Sequence, residues 1–149
     1  MKFLKKSFRT SSHKEGPNPD NTQLFVLIEQ YIADNEYESY KKVVLELEQG
    51  NSYLLIPSEN NLGKDFSSWA PSPPGLKIKM GIWFRDGLKA TAAFTSEQAL
   101  FEWAKKPAKY VSFRSQAVME LCENNSIQRI VIDSGLRTMI VIQNNDSQQ

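Results

Sequence analysis

The stretch from Leu76 to Phe94 constrains the fold of this chain more than any other part. Leu76, Ile78, Met80, Ile82 and Phe84 alternate with Lys77, Lys79, Gly81, Trp83 and Arg85 over ten residues. A period of two sends successive side chains to opposite faces of a strand, and a helix does not sustain it that long. Asp86-Gly87 follows at once. Both residues tolerate the positive φ that a type I′ turn needs at its two central positions. Leu88, Ala90, Ala92 and Phe94 then resume the alternation on the way back. An antiparallel hairpin is expected, with Lys77, Lys79, Trp83 and Arg85 on the outer face of its first strand.

Helical periodicity precedes this hairpin. Leu24, Leu27, Ile28, Tyr31 and Ile32 recur at the spacing of one helix face, with Asp20 or Asn21 placed as the N-cap. Asp34-Asn35 interrupts the pattern, and Tyr37, Tyr40, Val44 and Leu47 outline a second helix that Gly50 would end. The short apolar run Tyr53–Ile56 suits a strand buried on both faces, and residues 58–75 read as a long loop rich in Asn, Ser and Pro. After the hairpin, Thr95 is placed to cap a helix and Gln98 to complete a capping box. Ala99, Leu100, Trp103 and Ala104 form that helix's apolar face, and Pro107 prevents its continuation. A strand near Tyr110–Phe113, a helix capped by Ser115, and two β-branched runs joined at Ser134-Gly135 complete the reading. The expected architecture is α+β: two N-terminal helices, then a mixed or antiparallel sheet of about five or six strands with two further helices on one face.

Composition bounds what such a domain can do. With 149 residues, 40% of them apolar, the chain is long enough to bury one core, so a single domain over residues 21–143 is expected between a disordered basic tail at 1–20 and a polar tail at 144–149. The first tail carries Lys2, Lys5, Lys6, Arg9 and Lys14 against Glu15 and Asp20, without the apolar run of a signal peptide. The formal net charge of +1 gives no pull toward nucleic acid. No segment reaches the roughly 20 apolar residues of a membrane span. A lone cysteine, Cys122, excludes an internal disulfide and fits a reducing compartment, so a cytoplasmic location is expected.

The segment Phe94–Trp103 (FTSEQALFEW), directly after the Asp-Gly turn, resembles the N-terminal domain of the enhanced-serine-sensitivity (SseB) family of bacterial proteins. Tyr110, the helix through Leu121, the closing Val131–Asp133, and Tyr53–Ser58 upstream extend the resemblance over roughly residues 22–143. Where family members often place an Asn-Pro turn, this chain has Asp133-Ser134-Gly135. The resemblance implies a mixed α/β domain and assigns no activity.

The chemistry-bearing residues point the same way. A nucleophilic cysteine needs a base or a cation to form thiolate. The one histidine, His13, lies in the tail, and Cys122 falls on the apolar side of its helix. That shortage also removes Ser-His-Asp chemistry and His-based metal sites, and no metal is expected. Asn61-Leu62-Gly63-Lys64 lacks the spacing of a phosphate-binding loop. Carboxylates remain, of which Asp133, closing a strand at a turn, is the pocket candidate; turn chemistry is the plainer reason for it. Trp69 stands among Pro71, Pro73 and Pro74, either as a partner anchor or folded back on the sheet.

The expectation is a non-catalytic, cofactor-free protein that binds another protein. Trp69, Trp83, Arg85 and Asp86 are the candidate contact residues, and homo-oligomerisation is left open. Two alternatives stand beside it: an immunity or accessory protein of a bacterial secretion or toxin system, and a histidine-independent carboxylate enzyme built on Asp133.

Overall fold

A computed structural model describes residues 18–58 and 81–143. Two helices open the fold, α1 (Thr22–Asp34) and α2 (Tyr37–Gln49). After β1 (Tyr53–Pro57) come β2 (Ile82–Arg85), β3 (Leu88–Ala93), α3 (Glu97–Ala104), β4 (Tyr110–Arg114), α4 (Ser115–Asn124), β5 (Arg129–Ile132) and β6 (Ile140–Gln143). The class is α+β, with a mixed arrangement of strands. β1 and β4 form an antiparallel pair, and β2-β3-β5-β6 form a four-stranded sheet in which only β3–β5 is parallel. The two units meet where Leu55 and Phe94 exchange both backbone hydrogen bonds, at 2.8 and 2.9 Å.

Strand parity divides the interior. Leu54, Ile56, Ala93, Val111, Ile130, Ile132, Ile140 and Ile142 pack toward α1, α2 and α4. Leu55, Ala92, Phe94 and Tyr110 pack on the other side, against Ala99 and Leu100 of α3. The two later helices therefore lie on opposite faces, not together on one. The reason is that β1 and β3 are buried at both parities. In β1, Leu54, Leu55 and Ile56 are all buried, and in β3 so are Ala90, Thr91, Ala92 and Ala93. Phe94 is fully buried, and covering a side chain of that size contributes roughly 1.5–3 kcal/mol.

Helix ends follow local chemistry with several substitutions of role. Ser96, not Thr95, caps α3, its hydroxyl accepting from the Ala99 N–H at 3.0 Å. Ser115 is the first residue of α4 and caps nothing; its hydroxyl meets that of Ser52 at 2.9 Å. Asn21 occupies the N-cap position of α1 without a side-chain cap bond, while Asp20 Oδ1 accepts from the Thr22 N–H. Gly50 does end α2, with φ −88 and its N–H on the Glu46 carbonyl. Glu46 folds over it to accept from the Asn51 N–H, and a Cβ at Gly50 would sit 2.2 Å from that carboxylate.

Ser134-Gly135 is not the tip of a tight hairpin. β5 and β6 are joined by residues 133–139, through turns in which the Leu136 N–H reaches Asp133 O and the Met139 N–H reaches Leu136 O. At the far side of β6, the Gln143 N–H donates to the Tyr40 hydroxyl of α2 at 3.2 Å.

Candidate functional site

The β2–β3 hairpin turns as its sequence requires: Asp86 and Gly87 have φ of 56 and 78. A two-residue turn pairs Arg85 with Leu88, Phe84 with Lys89, Trp83 with Ala90 and Ile82 with Thr91. Paired residues share a face. The apolar set of β2 (Ile82, Phe84) thus lies with Thr91 and Lys89, whereas that of β3 (Leu88, Ala90, Ala92) lies with Trp83 and Arg85. The two alternations do not merge into one apolar side. Phe84 is 73% exposed, Ile82 41% and Trp83 37%, so the residue on the expected outer face is the least exposed of the three. Lys77 and Lys79 lie outside the described residues.

β2 is also an edge. On β3, the carbonyls of Lys89 and Ala93 accept from Gln128 and Asp133 on the β5 side, so Leu88 and Ala90 turn their peptide groups toward β2. Arg85 and Trp83 answer them. The N–H and C=O groups of Ile82 and Phe84 then point away from the sheet, and among the described residues no strand pairs with them. Thr91 Oγ1 donates to the Gly81 carbonyl at 2.7 Å. Arg85 and Asp86 are exposed at the tip, with Asp86 Oδ2 3.5 Å from Nη1 of Arg129. The edge thus combines three consecutive large apolar side chains with backbone groups that no described strand pairs, and a cation.

Asp133 has a different character. It is 1% exposed and adopts φ 54, a left-handed conformation that Asp tolerates better than most residues. Its Oδ1 accepts from the Thr95 N–H at 2.9 Å, and its Oδ2 accepts from the hydroxyls of Thr95 and Thr138, each at 2.8 Å. This explains why Thr95 is not the cap of α3 and why the β5–β6 connection is long: Thr138 must come back to the carboxylate. Asn21 Nδ2 donates to Thr95 O and Tyr53 O while its Oδ1 accepts from the Tyr53 N–H. Asn21, Thr95, Asp133 and Thr138 tie the start of α1 to β1, the β3–α3 junction and the β5–β6 loop. Both carboxylate oxygens of the pocket candidate are engaged in holding the fold.

Cys122 is fully buried, and burial pushes its thiol up to about 12. Glu97, in the first turn of α3, accepts from the Tyr110 hydroxyl. Trp69, the prolines around it and His13 lie outside the described residues. The structure brings Trp83, Arg85 and Asp86 together on one hairpin and sets Asp133 apart from them, inside the core. Sequence reasoning missed Phe84 and Ile82 as exposed residues; counting the register across the two-residue turn would have set Phe84 opposite Lys89. Nothing local announced Asn21 as a clamp. No described helix is long and apolar enough to cross a membrane.

A family model described as the SseB protein N-terminal domain matches residues 21–146. No curated protein and no solved structure matches the chain.

Proposed function

The chain belongs to the SseB family as an N-terminal-type domain, and from that premise we propose that it is a non-catalytic protein-binding domain of the bacterial cytoplasm. The observation that carries this reading is the β2 edge, where Ile82, Trp83 and Phe84 are exposed in succession beside peptide groups that no described strand pairs. Exposed strand edges are ordinarily blunted by charge, proline or a covering element. Large apolar side chains left on an edge mark a surface made for contact. Arg85 and Asp86 flank them as the polar rim that such contacts use.

The chemistry elsewhere supports a binding role. Asp133 spends both oxygens on internal donors, and Cys122 stays a thiol at any physiological pH. The test is affinity capture from bacterial lysate, with the full chain compared against Trp83→Ala and Phe84→Ala. Both substitutions are expected to lose the captured protein while leaving the melting temperature unchanged. Capture that is indifferent to both, or substrate turnover by the purified protein, would overturn the reading.

A further inference from the structure

We propose that the β2 edge is self-complementary and that its occupant is a second copy of this chain, joined through antiparallel β2–β2 pairing about a two-fold axis at Trp83. The inference rests on the reading of β2 as a contact edge and names the partner for it. The outward-facing residues are Ile82 and Phe84, two positions apart. When Trp83 of one copy lies opposite Trp83 of the other, Ile82 falls opposite Phe84 and Phe84 opposite Ile82. Those are the positions that exchange both backbone hydrogen bonds in an antiparallel ladder. The four groups on each edge that no described strand pairs are then satisfied by four reciprocal bonds, as an isologous interface requires.

The side chains agree with this register. Ile82 against Phe84 is a β-branched–aromatic cross-strand pair, a favourable combination. Trp83 meets Trp83 at a non-hydrogen-bonded position, where side chains approach most closely. Arg85 falls opposite Gly81, so no like charges are opposed. A Cβ at Gly81 would meet nothing within 4 Å, and its φ is not in the left-handed region. The fold itself therefore makes no demand for glycine there. Across the dimer, that open space lets the Arg85 guanidinium lie toward the diagonal Trp83 of the other copy, a cation–π arrangement. Other symmetric registers are worse: centring on Phe84 sets Ile82 against Asp86, and centring on Arg85 opposes two arginines. The result is a continuous eight-stranded sheet.

Sedimentation velocity of the full chain between about 1 and 300 μM is the test, joined to amide hydrogen exchange at Ile82 and Phe84. A concentration-dependent dimer is expected, with both amides protected only where the dimer forms. Phe84→Pro removes an N–H that β3 does not use, on an edge where proline is tolerated. It deletes two of the four intermolecular bonds and should raise the dissociation constant by about 30-fold or more. Gly81→Glu fills the space opposite Arg85 without touching that backbone group; it leaves the ladder intact and is expected to keep a dimer. A chain that stays monomeric throughout overturns the proposal, and so does a dimer unaffected by Phe84→Pro. Protection of both amides in a monomer would assign the edge to another segment of the same chain and refute self-pairing. If Phe84→Pro fails to fold, concentration-dependent protection in the wild type still decides. A monomer that captures a different protein through Trp83 and Phe84 would sink self-pairing while leaving the contact-edge reading intact.

Discussion

Replacing Asp133 by alanine tests the role assigned to the buried carboxylate. Three donors converge on it: the Thr95 N–H, the Thr95 hydroxyl and the Thr138 hydroxyl. Thr95 is buried, so its two donors lose their acceptor without gaining water, at about 1–3 kcal/mol each. Thr138 is half-buried and recovers part of its bond from solvent. Alanine must also adopt φ 54, at a cost of about 1–2 kcal/mol. The sum is about 3–8 kcal/mol, a large share of the stability of a domain this size. Glycine at the same position loses the same hydrogen bonds but not the backbone strain, so Asp133→Gly should be more stable than Asp133→Ala by about 1 kcal/mol. Asparagine keeps one acceptor oxygen and tolerates the left-handed backbone, and should cost least. Urea unfolding followed by tryptophan fluorescence, with m-values held constant across the series, measures all three. A loss under about 1 kcal/mol for alanine, or glycine no better than alanine, would refute the structural role and reopen a functional one.

Two further outcomes follow from the same core. Asn21→Asp is nearly isosteric, yet it should destabilise at least as much as Asn21→Ala, by about 2–4 kcal/mol, because an acid oxygen would replace the Nδ2 that donates to Tyr53 O and Thr95 O; a stability equal to wild type in urea would contradict this. For Cys122, burial pushes the thiol up from its ordinary value of 9.0 to about 12. The native state therefore retains a proton that the unfolded chain releases, and stability falls as pH rises from about 9 toward 12, by about 1.4 kcal/mol per pH unit. Relative to Cys122→Ala, the wild type should show that additional alkaline slope, and its thiol should react with a disulfide reagent only on unfolding. Prompt labelling of native protein at pH 8 would show that the thiol is not enclosed.

Local pattern carried much of the architecture. The period of 3.6 before Gly50 and the period of two around Asp86-Gly87 each have a mechanical cause that acts within a few residues, so both helices and the hairpin could be read. What could not be read depends on residues far apart. Thr95 and Ser96 are adjacent candidate caps, and only Asp133, 38 positions onward, decides that Thr95 is otherwise engaged. Ser134-Gly135 carries the composition of a tight turn, but the reach of Thr138 to the same carboxylate sets the length of the connection. The exposure of Phe84 depended on the hairpin lying at the sheet margin, a fact of strand order that alternation does not encode. Arg85 and Asp86 were legible as surface residues because charge and turn chemistry are local. Asn21, whose partners lie 32 and 74 positions away, was not.

Tyr40 gives the two ends of the four-stranded sheet unequal fates. Its hydroxyl accepts from the Gln143 N–H on the outer side of β6, so α2 engages one backbone donor of that margin. A subunit sticky at both margins would add copies without limit and grow into a filament. If the β2 edges pair as proposed, the hydrogen bond from Gln143 to Tyr40 at the opposite margin favours an assembly that ends after a single addition.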